Sequence, residues 1–133
     1  MMRPVLLLLA ALAGLLATPA SAAPKTKATP APTLALIERG KLVFTRNCAP
    51  CHGQGPGDDG SPRLPGTARL EARYNGSLPG ALELRSDLTA DVLRYFIRNG
   101  SGPMPMFRKT EVSDQDILAI EVYLQQSAAK TRK

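Results

Sequence analysis

The chain has no tryptophan, three phenylalanines, three tyrosines, one histidine and two cysteines in 133 residues. So few large rings leave no aromatic platforms on which bases could stack, which argues against a nucleic-acid reader. A core of Leu, Ile, Val and Ala with little aromatic bulk is modest for this length, so a further group is expected to fill part of the interior. With one histidine a second imidazole ligand is unavailable, and two cysteines plus one histidine fall short of a four-ligand zinc site. No run of alternating β-branched residues marks a strand. No apolar run is long enough to span a bilayer comfortably, which takes about 18 residues.

Charge of one sign is missing from the middle of the chain. The formal net charge is +6, yet residues 34–124 carry 11 Lys or Arg and 11 Asp or Glu. The excess sits at the ends, in Arg3, Lys25, Lys27, Lys130, Arg132 and Lys133. A neutral middle with solvated basic ends gives no support for a DNA or RNA groove reader, so no nucleic-acid partner is expected.

The longest apolar run, residues 5–17 (VLLLLAALAGLLA), follows Arg3 and precedes Ala20-Ser21-Ala22. A positive start, a short apolar stretch and an A-x-A site read as a secretory signal peptide over residues 1–22; an uncleaved N-terminal anchor is the competing reading. No cysteine stands at the cleavage region directly after the run, so no lipoprotein anchor is expected. The mature chain is expected to begin near Ala23 in the periplasm, an oxidising compartment, without stable membrane insertion. Residues 23–33 read as a flexible Ala/Pro/Thr/Lys leader, 34–127 as one domain and 128–133 as a basic C-terminal tail.

Three segments of that domain have helical periodicity. The first covers residues 34–48, with Thr33 as N-cap and Leu36, Gly40, Val43 and Phe44 on one face. Gly40 costs about 1 kcal/mol inside a helix, so it is expected to mark a close crossing by another helix. The second covers residues 90–98, capped by Thr89, striped by Val92, Leu93, Phe96 and Ile97, and ended by Asn99-Gly100. The third covers residues 114–127, opened by the capping box Ser113 to Asp116 and striped by Ile117, Ile120, Tyr123 and Leu124. A shorter helix is expected from Pro79 through Leu84. Residues 53–66, with five Gly and three Pro, and residues 101–110 read as irregular loops.

Every cysteine and the histidine lie within five positions, Cys48-Ala49-Pro50-Cys51-His52. Scattered at random, these three residues would adopt this spacing about once in ten thousand arrangements, so coincidence is a poor account of them. C-x-x-C-H is the pattern by which haem is attached in c-type cytochromes. Two thiols three residues apart can each add to a vinyl group of the porphyrin, and His52 then falls beneath the iron as axial ligand. A Cys48–Cys51 disulfide leaves His52 without a purpose, and a thioredoxin-like dithiol needs a βαβ setting that this helical pattern lacks.

Haem iron has a sixth position. Met1 and Met2 belong to the signal segment, so Met104 and Met106 are the remaining thioethers. Pro103 and Pro105 fix φ on both sides of Met104 and stiffen it, which suits a weak ligand held against a metal. Met104 is the favoured ligand, Met106 the alternative, and a vacant sixth position, as in a haem sensor, a more distant one.

The chain resembles the class I mono-haem c-type cytochromes. The likeness covers residues 34–124 and is carried by Gly40 and Phe44, Cys48 through His52, Ile97-Arg98-Asn99-Gly100, Met104-Pro105-Met106-Phe107, Ser113-Asp114 and Tyr123-Leu124. It implies an all-α cytochrome c-like fold, three main helices and a short one around one covalently bound haem c, with long irregular loops. It also implies a Met ligand at Met104 and a crossing of first and last helices where Gly40 and Phe44 meet Tyr123. The family's Gly-Pro-x-Leu turn, whose proline carbonyl accepts from the ligand histidine, is only partly matched; Pro62-Arg63-Leu64 is its best counterpart, with Pro56 and Pro65 as rivals. The implied function is one-electron transfer between redox proteins, passing electrons from a dehydrogenase to a respiratory acceptor, and not catalysis. A weaker likeness of residues 104–114 to haem subunits of flavin-dependent hydroxylases and dehydrogenases makes a flavoprotein a candidate partner.

Overall fold

Helix starts and stops dictated by single residues set the architecture. A computed structural model describes residues 33–132; the signal peptide read at residues 1–22, and all of the leader but Thr33, lie outside the described residues. Helix α1 is Leu34–Asn47, and its N-cap Thr33 accepts a hydrogen bond from the Leu36 N–H at 3.3 Å. Pro50 has no N–H to continue the ladder and would crowd the carbonyl four residues back, so α1 stops. The chain restarts at once as α2, Ala49–His52, with the Cys48 carbonyl accepting from both Cys51 N–H (3.1 Å) and His52 N–H (2.9 Å).

Helix α3, Pro65–Tyr74, occupies ground where the sequence reading ended in loop. Pro65 sits at the first helical position, where its missing N–H costs nothing, and Ala68 to Arg73 are mostly strong helix formers. Asn75, at φ 46°, ends the helix in the left-handed region, with its N–H on the Glu71 carbonyl at 2.9 Å. The helix expected from Pro79 shrinks to a single 3₁₀ turn, Leu82–Leu84. Gly80 sits in a close approach to α3, where a Cβ would land on the Thr67 carbonyl oxygen and lie 2.5 Å from Glu71 Cγ, and the turn begins only after it.

Helix α4 is Ala90–Asn99, capped by Thr89 and closed by Gly100 at φ 68°. Helix α5 is Asp114–Thr131, and the capping box is complete: Ser113 Oγ accepts from Asp116 N–H at 3.1 Å, and Asp116 Oδ2 from Ser113 N–H at 2.9 Å. This helix runs past Ser127 to Thr131, and Ala128 is buried. The tail expected from residue 128 is therefore partly helix, because Ala128 extends the Ile117, Ile120, Leu124 stripe by one more turn and nothing stops the helix before Thr131.

Among the described residues there are five α-helices and no strand, the fold class expected, with one isolated bridge between Ser101 and Met104. α1 crosses α5 at Gly40, as its cost inside a helix implied. A Cβ there would land on the Ala119 carbonyl oxygen and lie 2.9 Å from Tyr123 Cβ. One turn on, Phe44 packs its ring against Tyr123 with centroids 5.5 Å apart. Phe44, Leu93, Ile97, Val112, Ile117, Ile120 and Leu124 form the buried core between α1, α4 and α5. Gly40→Ala is expected to lower unfolding stability by about 2 kcal/mol, the overpacking cost outweighing the gain in helix propensity. Urea denaturation followed by circular dichroism checks this, and a variant as stable as the parent would show that the crossing can relax.

Candidate functional site

A cavity of about 360 Å³ opens beside this core, lined from one side by Cys48, Cys51 and His52 and from another segment by Met104. Leu70 of α3, Leu93 and Ile97 of α4, and Ile120 and Leu124 of α5 supply apolar wall. The break at Pro50 does the positioning. It places Cys51 and His52 on a short helix and Cys48 at the junction of that helix with α1, all three on the cavity wall.

His52 is half-buried, and its Nδ1 is buried without a hydrogen-bond partner. Burial holds the imidazole below its ordinary pKa, which keeps it in the neutral form that binds a metal. Gly66 lies against the ring, so that a Cβ there would sit 2.7 Å from Cε1 and 2.8 Å from Nδ1. The Pro62 carbonyl expected to accept from His52 does not do so; it accepts from Arg63 Nη1 at 3.0 Å, and Arg63 Nε donates to Glu71 Oε1 at 3.0 Å. Neither Pro56 nor Pro65 replaces it as an acceptor for Nδ1.

The thiols are not joined to each other. Cys48 is half-buried and Cys51 exposed, and burial, with Cys51 adding to it, pushes the Cys48 thiol up to about 11. Among the described residues, no group of three or more His, Cys, Asp or Glu converges well enough to hold a metal ion.

Met104 is half-buried and lines the cavity, whereas Met106 is 64% exposed and does not. The Met104 segment is tied to α4 by backbone. Ser101 and Met104 exchange N–H and carbonyl at 3.1 Å each, and Phe107 N–H donates to the Ile97 carbonyl at 2.7 Å. Arg98 adds a side-chain tie, donating from Nη1 to the Phe107 carbonyl at 3.0 Å and from Nη2 to Asp114 at 2.9 Å. Gly100 is needed as well, since a Cβ there would meet the Met104 carbonyl oxygen at 2.6 Å.

Two buried groups of the site were not singled out from sequence. Thr67, fully buried on α3, donates to the Gly53 carbonyl at 2.8 Å and so braces the residue after His52. Arg85, 6% exposed, lines the cavity wall. The signals that could have found α3 are Pro65 at a helix start and Asn75-Gly76 at its end.

The residues fit a flat apolar macrocycle carrying its own metal: two free thiols three residues apart, an imidazole held toward its neutral form, a thioether and an apolar wall. A family model described as cytochrome c oxidase, cbb3-type, subunit III matches residues 35–124. The chain belongs to that family of c-type cytochromes. It is also similar to cytochrome c6 of Cladophora glomerata, with 29% identity over 99 residues, covering 73% of this chain and 94% of that relative. No solved structure is a significant match. Membership carries covalently bound haem c with iron and an electron-transfer role exercised with redox partners.

Thr67→Val keeps the shape of the side chain and removes its donor, leaving the Gly53 carbonyl buried and unsatisfied. A loss of about 1 to 3 kcal/mol in unfolding free energy is expected. A denaturation midpoint equal to that of the parent would mean that Gly53 finds another donor.

Proposed function

We propose that this cytochrome is a periplasmic single-haem electron carrier, with haem c held by thioethers at Cys48 and Cys51 and its iron ligated by His52 and Met104. The observation that carries the reading is the convergence of these four residues, drawn from α2, its junction with α1 and the loop after α4, on one apolar cavity. The haem supplies a one-electron Fe(II)/Fe(III) couple. His52 offers a neutral nitrogen from a helix braced through Thr67 and Gly66. Met104 offers a soft, neutral sulfur that favours the reduced state and raises the potential. The apolar wall excludes water and acts in the same direction. Two protein ligands on the iron leave little access for oxygen or substrate, which suits transfer and not catalysis.

Export to the periplasm is supported by Arg3, the apolar run 5–17 and Ala20-Ser21-Ala22. Among the described residues no helix is long and apolar enough to cross a membrane. The role assigned is transfer between a dehydrogenase and a respiratory acceptor. The likeness of residues 104–114 to haem subunits of flavoenzymes makes a flavoprotein the specific donor to test; the matched family and the matched relative are not described as such subunits. Co-purification from the native host distinguishes the two: flavin absorbance co-eluting with the haem band identifies a bound subunit, and a free haem-bearing monomer a diffusible carrier.

Ligation is tested by potential. Met104→His is expected to lower the midpoint potential sharply, while Met106→His, at an exposed position off the cavity, leaves it near the parent value. Redox titration of both variants reads this, and equal potentials for parent and Met104→His would refute the ligand assignment.

A further inference from the structure

The cavity has a charged wall that axial ligation and thioether attachment do not use. Arg69, Arg73 and Arg85 line it, and no Asp or Glu does. Arg69 and Arg73 are four residues apart on α3 and so share one helix face. Among the described residues neither has a carboxylate within ion-pair distance.

Arg85 is the buried member, 6% exposed just after the 3₁₀ turn. A buried guanidinium is costly unless its geometry is fixed and its donors are met. Asp87 fixes one edge, accepting from Nε at 2.9 Å and from Nη2, while the Tyr74 ring of α3 lies beneath the plane with its centroid 4.8 Å from the guanidinium carbon. A guanidinium has five N–H groups, so the Asp87 fork leaves three, including both on Nη1. The charge is thus preset and only partly spent, on the wall of an apolar cavity.

A ligand matched to such a wall is flat and apolar with carboxylates at one edge. Haem has two propionates, and a carboxylate brought into an apolar site without a partner is strongly disfavoured. We propose that Arg85 binds one haem propionate through its free N–H groups, with the Arg69–Arg73 row facing the other. The inference rests on the single covalent haem proposed above. Asp87 and Tyr74 act through Arg85, holding its plane. The cation also opposes the extra positive charge of ferric iron, so it contributes to a raised potential.

Haem-loaded parent, Arg85→Gln and Arg85→Lys are compared by resonance Raman spectroscopy of the propionate-bending band and by redox titration. Arg85→Gln is expected to shift the band and lower the midpoint potential. Arg85→Lys, which keeps the charge and loses the fork, is expected to shift the band with a smaller fall in potential. A role limited to holding the fold would change the denaturation midpoint and leave the band in place. If Arg85→Gln does not accumulate, the band of Arg85→Lys decides. A haem-bearing parent whose band is unmoved in the variants obtained overturns this inference alone; a parent with no covalent haem by pyridine haemochrome overturns it together with the proposed function.

Discussion

At Gly40 the backbones of α1 and α5 approach so closely that no side chain fits between them, and the rest of the molecule is arranged around that contact. The crossing sets how α1 lies on α5, and Pro50, which ends α1, then sets where Cys48 and α2 lie on that frame. It also fixes Ile120 and Leu124, which face both the core and the cavity. The Phe44–Tyr123 contact locks the rotation of α1 about its axis, and Tyr123 is held in turn by its hydroxyl donating to Glu83 Oε1 at 2.6 Å. That hydrogen bond brings the 3₁₀ turn, and with it Arg85, onto the same frame.

Magnitudes separate what holds the site from what decorates it. Ion pairs such as Arg63–Glu71 join half-exposed side chains, and pairs of that kind contribute about 0 to 1 kcal/mol. Burying an Ile or Leu of the core contributes about 1.5 to 3 kcal/mol each, and a single unsatisfied buried carbonyl costs about 1 to 3. Thr67 and the α1–α5 packing therefore outweigh the surface charges. The exception in kind is Asp114, which serves Arg98 at 2.9 Å, Lys109 at 3.0 Å and Arg94 at 3.9 Å. Its hydrogen bond from Arg98, with Lys109 adding, holds its carboxyl below the usual range. What it contributes is geometry, since Arg98 is also the donor that anchors Phe107 at the end of the Met104 loop.

Features written in residue types with one conformational meaning were legible in the sequence. Thr33, Thr89 and Ser113 cap the helices expected of them, Gly40 marks the crossing, and five positions around Pro50 define the attachment motif. Helix α3 was not legible, because Leu70 is its only large aliphatic residue and its stripe is too thin to register as periodicity. The 79–84 helix failed for the opposite reason: its local propensity was adequate, but Gly80 is committed to a tertiary contact with α3 that no local signal announces. The surroundings of Pro62 were not legible either, since Arg63, which donates to its carbonyl, also meets Glu71 eight residues on, a contact that exists only once α3 has formed. Arg85 escaped notice because an arginine in a loop reads as solvated until its burial is known.

The scarcity of aromatic bulk and the shape of the cavity have a common physical origin. Phe44, Leu93, Ile97, Val112, Ile120 and Leu124 belong to the buried core and also line the cavity, so the two are one apolar surface. Val92 and Phe96, on the apolar stripe of α4, are 39% and 41% exposed because they face that cavity and not another helix. A macrocycle seated there covers side chains that the polypeptide leaves uncovered, and its binding free energy adds to folding free energy by linkage. Covalent attachment makes that addition permanent, since a tethered group cannot be diluted away. Covalent attachment therefore serves stability as much as placement: a domain of about this size, with little core of its own, keeps as its largest apolar group one that is not encoded as an amino acid.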